Sequence, residues 1–345
     1  MTTTTARTRA LTTRTPEPRA PRTRGRAGES AALAAGAVVV LVLAVASMFV
    51  GVSDISLPRL LGNDPAAWDI FWISRVPRTV AVVLAGMAVA VAGLIMQLMA
   101  RNRFVEPSTV GTTESATLGI LVVTVLAPGA PLLAKMGVAS IFAVLGTALF
   151  LAILRKLPTR NTLLIPLVGI MLGGVIASVT TFFAYRFDLL QTLSNWMLGD
   201  FSGVLRGRYE LLWIVALLTL IGFIAADRFT VAGMGQDFTT NLGLNYARTL
   251  RLGLVIVSLI SAVVVTSVGA VPFLGLVVPN IVSLIFGDNL RRAVPWTAVF
   301  GAGFVLICDI IGRTIRYPYE VPVGMVMSVI GAVLFLVLLL RKRNA

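Results

Sequence analysis

Histidine is absent from this 345-residue sequence, and cysteine occurs once, at Cys308. Without histidine the chain cannot build a His-ligated zinc or haem site, a Ser-His-Asp triad or an HExxH protease motif. One cysteine inside an apolar run excludes a disulfide framework and a thiolate metal cluster. No GxxxxGK[ST] loop occurs either, so the chain does not bind nucleotide by that route. We therefore predict no catalytic residues, no metal site and no cofactor.

Charged residues are also scarce. They make up 13% of the chain, against 57% hydrophobic residues, whereas soluble domains carry about 25% charged residues. A soluble fold of this length has too little interior to bury so many apolar side chains. A bilayer has a hydrocarbon core about 30 Å thick and accepts helices of about 20 apolar residues. The composition therefore predicts an all-α, polytopic membrane protein.

Ten apolar runs predict about ten transmembrane helices. The third and eighth are short for a full span, and Pro279 interrupts the eighth; neighbouring helices can satisfy the backbone of such kinked segments. The runs are Ala31–Val50, Val80–Ala100, Val110–Leu126, Gly137–Leu154, Leu163–Ala184, Leu211–Ala226, Leu252–Val268, Phe273–Phe286, Val294–Ile311 and Val323–Leu340.

Small residues recur at helical spacing within these runs. Gly169 and Gly173 form a GxxxG pair, and Ala81, Ala85 and Ala88 are followed by Ala92 at the same spacing. Small side chains allow two helix backbones to approach closely. We expect these positions to lie at helix contacts inside the bundle.

Basic residues predict the orientation of the chain. If the ten runs all span the membrane, 20 of the 29 Lys and Arg residues fall on the side that holds both termini. The positive-inside rule makes that side cytoplasmic. Seven of these arginines lie within residues 1–30, which we predict to be a disordered basic cytoplasmic tail, with a transmembrane domain at residues 31–345.

The basic segment has two other interpretations. The net charge of +14 is not clustered on a foldable domain, so no nucleic-acid partner is expected. An Arg-rich targeting peptide is an alternative, because Ala44-Val45-Ala46 resembles a cleavage site. The basic segment before the first run is, however, as long as a whole signal peptide of about 15–30 residues.

A series of short motifs runs in order through residues 35–343. The motifs are Ser74-Arg75-Val76-Pro77-Arg78-Thr79, Arg101-Asn102-Arg103, Glu106-Pro107-Ser108 with Gly111, Leu242-Gly243 with Ala247-Arg248, Phe273-Leu274-Gly275-Leu276 with Pro279, Cys308-Asp309 with Arg313, and Glu320-Val321-Pro322-Val323-Gly324. Together they resemble the FecCD family, the permeases of bacterial ABC importers for iron-siderophores, haem and cobalamin. The resemblance implies a fold like that of the cobalamin-importer permease.

The resemblance also implies roles for two groups of residues. Arg75, Arg78 and Arg313 would dock a substrate-binding lipoprotein or periplasmic receptor through salt bridges, since complementary charge fixes the register of a complex. The alternative is that they are interfacial arginines that reach toward lipid headgroups. The second group would couple the permease to an ABC ATPase subunit dimer, or would merely cap a cytoplasmic helix. It consists of Leu242, Gly243, Ala247 and Arg248.

A narrower resemblance points to the substrate. Residues 195–202, 240–246 and 279–290 are similar to permeases for petrobactin-type and related catecholate siderophores, and Asn280 replaces the histidine that most of the wider family has there. Two different permeases commonly pair in that subgroup, so a heterodimer with a second permease subunit is expected in the lipid bilayer. A cobalamin or haem importer is the alternative within the family.

Two rivals come from other classes of protein. A secondary transporter needs several ionisable residues in mid-membrane and an inverted repeat, but Asp309 is the one acid deep in an apolar run, and it resembles a structural family position paired with Arg313. An intramembrane enzyme needs a nucleophile and base or metal ligands, for which the chain has almost no residues. The expected function is the permease subunit of an ATP-driven importer of ferric siderophore, with ATP hydrolysis on a separate subunit.

Overall fold

A computed structural model of the chain describes residues 26–51, 57–62, 64–156, 164–287 and 289–343. Within those ranges the protein is all-α, and a π-helical turn at Phe71–Arg75 joins α3 to α4. The helices are α1 (Arg26–Phe49), α2 (Leu57–Leu61), α3 (Pro65–Ile70), α4 (Val76–Met99), α5 (Thr112–Leu126), α6 (Leu132–Lys156), α7 (Leu164–Arg186), α8 (Leu190–Met197), α9 (Trp213–Ile224), α10 (Ala226–Gly233), α11 (Gln236–Asn241), α12 (Tyr246–Val268), α13 (Leu274–Phe286), α14 (Leu290–Thr314) and α15 (Val323–Arg343).

Each of the ten predicted apolar runs lies on a helix. Within the described ranges, seven helices are long and apolar enough to cross a membrane, and there are eight if α9 and α10, which are bent by 60° relative to each other, count as one broken span. The remaining two, α5 and α13, are shorter apolar helices. They correspond to the third and eighth runs, as predicted, and Pro279 lies inside α13.

Helix α4 lies at the centre of the bundle and packs against α9, α12, α13 and α14. In its apolar stretch 83% of the residues are buried, against 11% in α1 and 22% in both α7 and α15. The alanines predicted to lie at helix contacts are completely buried at Ala81, Ala85, Ala88 and Ala92. The small-residue pattern therefore identified the most central helix of the fold.

The closest backbone approach to α4 is made by α13. A Cβ atom added to Gly93 would lie 2.1 Å from the carbonyl oxygen of Gly275, so the two helices could not pack this closely with any larger residue at position 93. One turn after Gly93, the side-chain amide of Gln97 donates to that same Gly275 carbonyl at 3.1 Å.

The predicted pair Gly169 and Gly173 also lies at a contact, where α7 meets the turn before α5.

Ion pairs join the starts of α1, α10 and α14 at one end of the bundle. Arg292 at the start of α14 pairs with Glu29 in α1 at 3.6 Å, and the neighbouring Arg291 pairs with Asp227 in α10 at 3.3 Å. All four belong to the side predicted to be cytoplasmic. Helix α1 begins at Arg26, five residues before the predicted domain boundary, and the rest of the predicted tail lies outside the described residues.

The crossing of α4 and α13 gives a first prediction. Gly93→Ala should destabilise the protein by about 1–3 kcal/mol, because the added methyl group overlaps a backbone carbonyl that cannot move aside. Gly174→Ala in α7 is the matched control, since nothing lies within 4 Å of its added Cβ. Thermal unfolding of the purified protein in detergent measures both variants. Equal melting temperatures for the two would contradict the close approach.

Candidate functional site

Basic side chains meet Asp309 and Glu320 at one end of the bundle. The Arg78 guanidinium, at the start of α4, donates from Nε and Nη2 to Asp309 Oδ1 at 3.1 and 2.9 Å. Its Nη1 donates to Glu320 Oε2 at 2.6 Å. Arg78 therefore links α4 both to α14 and to the segment that precedes α15.

Arg313 closes the same cluster from α14. It lies one turn after Asp309, with which it forms an ion pair, as the sequence predicted. Arg313 Nη1 donates to the backbone carbonyls of Ser47 and Val50 at 2.9 and 2.7 Å, and Arg75 Nη1 donates to the Val50 carbonyl at 2.8 Å. These two arginines therefore hold the end of α1 through the Ser47 carbonyl in its last turn and the Val50 carbonyl just after it.

The three predicted docking arginines thus come together at one place, which we call the outer arginine cluster (Arg75, Arg78, Asp309, Arg313 and Glu320). The exposed fractions of Arg75, Arg78 and Arg313 are 6%, 6% and 2%. Their guanidinium groups are engaged within the chain, not presented on its surface. Docking of a receptor at these residues stays a prediction.

Sequence reasoning named Arg75, Arg78 and Arg313 but missed how Arg78 is paired. Asp309 was expected to pair with Arg313 alone, and Glu320 was noted as part of a motif without a role. The signal for this pairing is Glu320 itself, because an acid two residues before Pro322 and next to an apolar run needs a basic partner. A buried charge needs a partner, and here one acid neutralises parts of two arginines.

The second predicted group lies at the opposite end of the bundle, where α10, α11 and the start of α12 form a helical connection. Leu242, Gly243, Ala247 and Arg248 are all exposed, and Leu242 is 57% exposed. We call these four residues the coupling surface. They form one patch because only four residues separate the end of α11 from the start of α12.

Local interactions hold this surface in shape. Gly243 has a φ of +77°, a left-handed conformation that other residues rarely adopt, and nothing lies within 4 Å of the position its Cβ would take. The side chain of Asn245 caps α12 by accepting from the Arg248 amide at 2.9 Å. Thr239 is completely buried and donates to the Val231 carbonyl at 3.1 Å, which ties α11 to α10.

A buried carboxylate in the centre of the protein was not assigned a role from the sequence. Glu106 is 3% exposed and accepts from the Phe273 amide at 3.2 Å and the Ser108 hydroxyl at 2.7 Å. Phe273 stands immediately before α13 in a left-handed conformation. The carboxylate therefore lies at the positive end of the α13 dipole and satisfies its first backbone donors.

The residues behind the narrower resemblance fall into two places. Asn195, Trp196, Asp200 and Ser202 line a cavity of about 720 Å³ at the end that holds the outer arginine cluster. Asn280, where most of the wider family has histidine, instead donates to the backbone carbonyls of Arg103 and Leu276 at 2.8 and 2.7 Å. No group of three or more His, Cys, Asp or Glu residues within the described ranges is placed to hold a metal.

The described helices form a multi-pass membrane bundle with a charged cluster at one end and an exposed helical connection at the other. The chain belongs to the FecCD transport family, whose model matches residues 38–341. This match confirms the resemblance drawn from the motifs.

This chain matches nearly the whole length of its curated relatives. The petrobactin import system permease protein YclN of Bacillus subtilis is 47% identical over 306 residues, which cover 89% of this chain and 97% of that protein. The ferric-anguibactin transport system permease protein FatD of Vibrio anguillarum is 42% identical over 303 residues, 88% and 96% of the two chains.

Solved structures share the fold. An inward-facing conformation of a metal-chelate type ABC transporter superposes with a TM-score of 0.79 at 22% identity, covering 90% of this chain and 99% of that one. PsaBC from Streptococcus pneumoniae in complex with a Fab superposes with a TM-score of 0.60 at 14% identity, covering 76% and 90%. The all-α permease architecture predicted from the sequence is thereby confirmed.

The outer arginine cluster yields a second prediction. Asp309→Asn keeps the shape of the side chain but leaves two buried arginines short of negative charge, which typically costs about 3–5 kcal/mol. The matched control is Asp227→Asn. Asp227 pairs with Arg291, and their side chains are 67% and 74% exposed; surface ion pairs contribute about 0–1 kcal/mol to stability. We expect a large drop in melting temperature for the first variant and almost none for the second. A small drop for Asp309→Asn would show that the cluster is not structural.

Proposed function

We propose that this chain is the transmembrane permease subunit of an ATP-driven importer that carries a ferric siderophore of the catecholate or petrobactin type across the cytoplasmic membrane. The observation that carries the proposal is the 47% identity to a petrobactin permease over 97% of that protein's length. The geometry supports it, because the two ends of the bundle carry different kinds of surface, as an importer driven from one side requires.

The end with the outer arginine cluster faces the receptor in this proposal. A substrate-binding lipoprotein or periplasmic receptor docks there, and Arg75, Arg78 and Arg313 are the proposed docking residues. Glu320 is the most accessible member that pairs with an arginine, with 26% of its side chain exposed. A receptor carboxylate would reach Arg78 by replacing Glu320, so that docking would loosen the link between α4 and the start of α15.

The end with the coupling surface faces the cytoplasm. Both termini lie there as well, which agrees with the ion pair between Glu29 and Arg292 at that end. An ABC ATPase subunit dimer seats against Leu242, Gly243, Ala247 and Arg248, and its closure switches the pathway between outward-open and inward-open states. Open space around Gly243 leaves room for a partner to approach the backbone.

A second permease subunit completes the pathway. Only 22% of the apolar stretch of α7 is buried within this chain, although α7 lies next to the central turn at Pro107–Val110. We propose that a different permease of the same family covers part of that face and that the siderophore passes between the two. Lipid covers the remaining apolar surface.

Growth assays test the substrate. A strain that lacks this gene should fail to grow when a ferric catecholate of the petrobactin type is its iron source, and should grow normally on free iron salts. Restoring the gene should restore growth. A strain that instead loses only cobalamin or haem use would assign the chain to another branch of the family.

Gly243→Trp tests the coupling surface. The large side chain should fill the space in which the ATPase seats, because overpacking at a tight contact typically costs about 1–3 kcal/mol. We expect loss of radio-iron uptake and weaker co-purification of the ATPase, with normal membrane insertion. Arg248→Glu should have a milder effect of the same kind, since it changes charge without filling space.

Gly207→Trp is the control for this experiment. Gly207 also has a positive φ, +94°, and nothing within 4 Å of its Cβ position, but it lies at the opposite end of the bundle. The backbone strain is therefore similar, and ATPase recovery should be unchanged. Normal ATPase recovery and normal uptake in Gly243→Trp would show that the connection between α11 and α12 is only a linker.

A further inference from the structure

A groove of about 730 Å³ opens beside the coupling surface, between the ends of α4 and α6 and the start of α12. We call it the inner groove. Its floor is apolar and buried, and consists of Leu151, Ile165 and Leu250, which are 8%, 8% and 7% exposed. Its rim is polar and carries Arg101 and Arg155. None of the lining residues in the described part of the chain is acidic.

The two arginines have unused capacity for an anionic ligand. Arg101 is exposed; its Nη2 donates to the Tyr246 hydroxyl at 3.3 Å, and its guanidinium carbon lies 5.9 Å from the centre of the Tyr246 ring. A guanidinium has five N–H donors, so most of those of Arg101 remain available. Arg155 is exposed at the end of α6 and has no acidic partner within the described ranges.

Arg101 is also held in an uncommon backbone conformation, with a φ of +49°. A residue other than glycine adopts that region at a cost. Here the conformation directs the chain sharply away from the end of α4, and the guanidinium rests against Tyr246 and over Gly235. The position of this positive charge at the rim is therefore set by the fold.

The inner groove lies where two helices that are long and apolar enough to cross a membrane come to an end. Helices α4 and α6 are spans of 24 and 25 residues that end at Met99 and Lys156, and Arg101 and Arg155 stand at those ends. A groove with an apolar floor and a cationic rim at the ends of such helices matches an anionic lipid, which has both acyl chains and a charged headgroup. Basic pockets between transmembrane helices on the cytoplasmic side suit anionic lipid headgroups.

We propose that the inner groove binds an anionic phospholipid. Its phosphate lies between Arg101 and Arg155, and an acyl chain lies along Leu151, Leu154 and Ile165. Ala247 of the coupling surface lines the same groove, so the bound lipid borders the place where a cytoplasmic partner would seat. Inorganic phosphate would satisfy the arginines but would leave the apolar floor uncovered.

The test uses the purified full-length chain in neutral detergent micelles. Its thermal unfolding is followed as phosphatidylglycerol or phosphatidylcholine is added, and inorganic phosphate is added in a third series. Phosphatidylglycerol should raise the melting temperature more than phosphatidylcholine or phosphate does. Each arginine near a membrane surface contributes about fivefold to the affinity for anionic lipid, so Arg155→Ala should weaken the apparent affinity for phosphatidylglycerol about fivefold and Arg155→Glu further.

Lys156→Ala is the matched control, because Lys156 is the next residue, is also exposed and does not line the groove. It should leave the affinity unchanged. Equal losses in Arg155→Ala and Lys156→Ala would mean diffuse attraction to the micelle surface and would overturn the proposal. So would equal protection by phosphatidylcholine or by free phosphate. If Arg155→Ala binds phosphatidylglycerol normally but co-purifies with less ATPase, the groove belongs to the ATPase and not to a lipid.

Discussion

The ion pairs of the Asp309 carboxylate with Arg78 and Arg313 are the interaction on which one end of the bundle depends. The carboxylate is completely buried and lies between these two arginines, which come from different helices. Those arginines in turn hold the end of α1 and the segment before α15. Since charges are costly to bury unless they are paired, every member requires the others. Four segments that are distant in sequence are therefore held at one point by charge.

Below that point, close packing replaces charge. Helix α4 has small residues along its buried faces, so α13 and α14 approach its backbone directly. The break before α13 would leave backbone amides without partners inside the bundle, and Glu106 satisfies them. A short helix that could not span alone is thus stabilised by a carboxylate from another part of the chain. The two short apolar helices, α5 and α13, flank this same region.

Composition and periodicity predict the ten apolar helices, because apolar runs and small-residue spacing are local properties of the sequence; they do not predict short helices such as α2 and α3. The pairing of Asp309 with Arg313 was predictable for the same reason, since the two residues are four positions apart. Arg78 and Glu320 are 242 residues apart, and Phe273 and Glu106 are 167 apart. Which helices bring such residues together depends on packing of the whole chain, and no local pattern encodes it. The motifs contain Arg78, Glu320, Glu106 and Phe273, but a motif does not indicate which residues these contact.

Helix α4 is longer than a span requires. Together with α3 and the π-helical turn it forms one helix of 35 residues, Pro65–Met99, which at about 1.5 Å per residue is roughly 50 Å long, against a hydrocarbon core of about 30 Å. One end carries the tryptophans Trp68 and Trp72 and the other leads directly into Arg101. A helix held on several sides cannot compress along its axis. It runs unbroken from the outer arginine cluster to the end of the bundle where Arg101 lies, and therefore ties the positions of those two ends to each other.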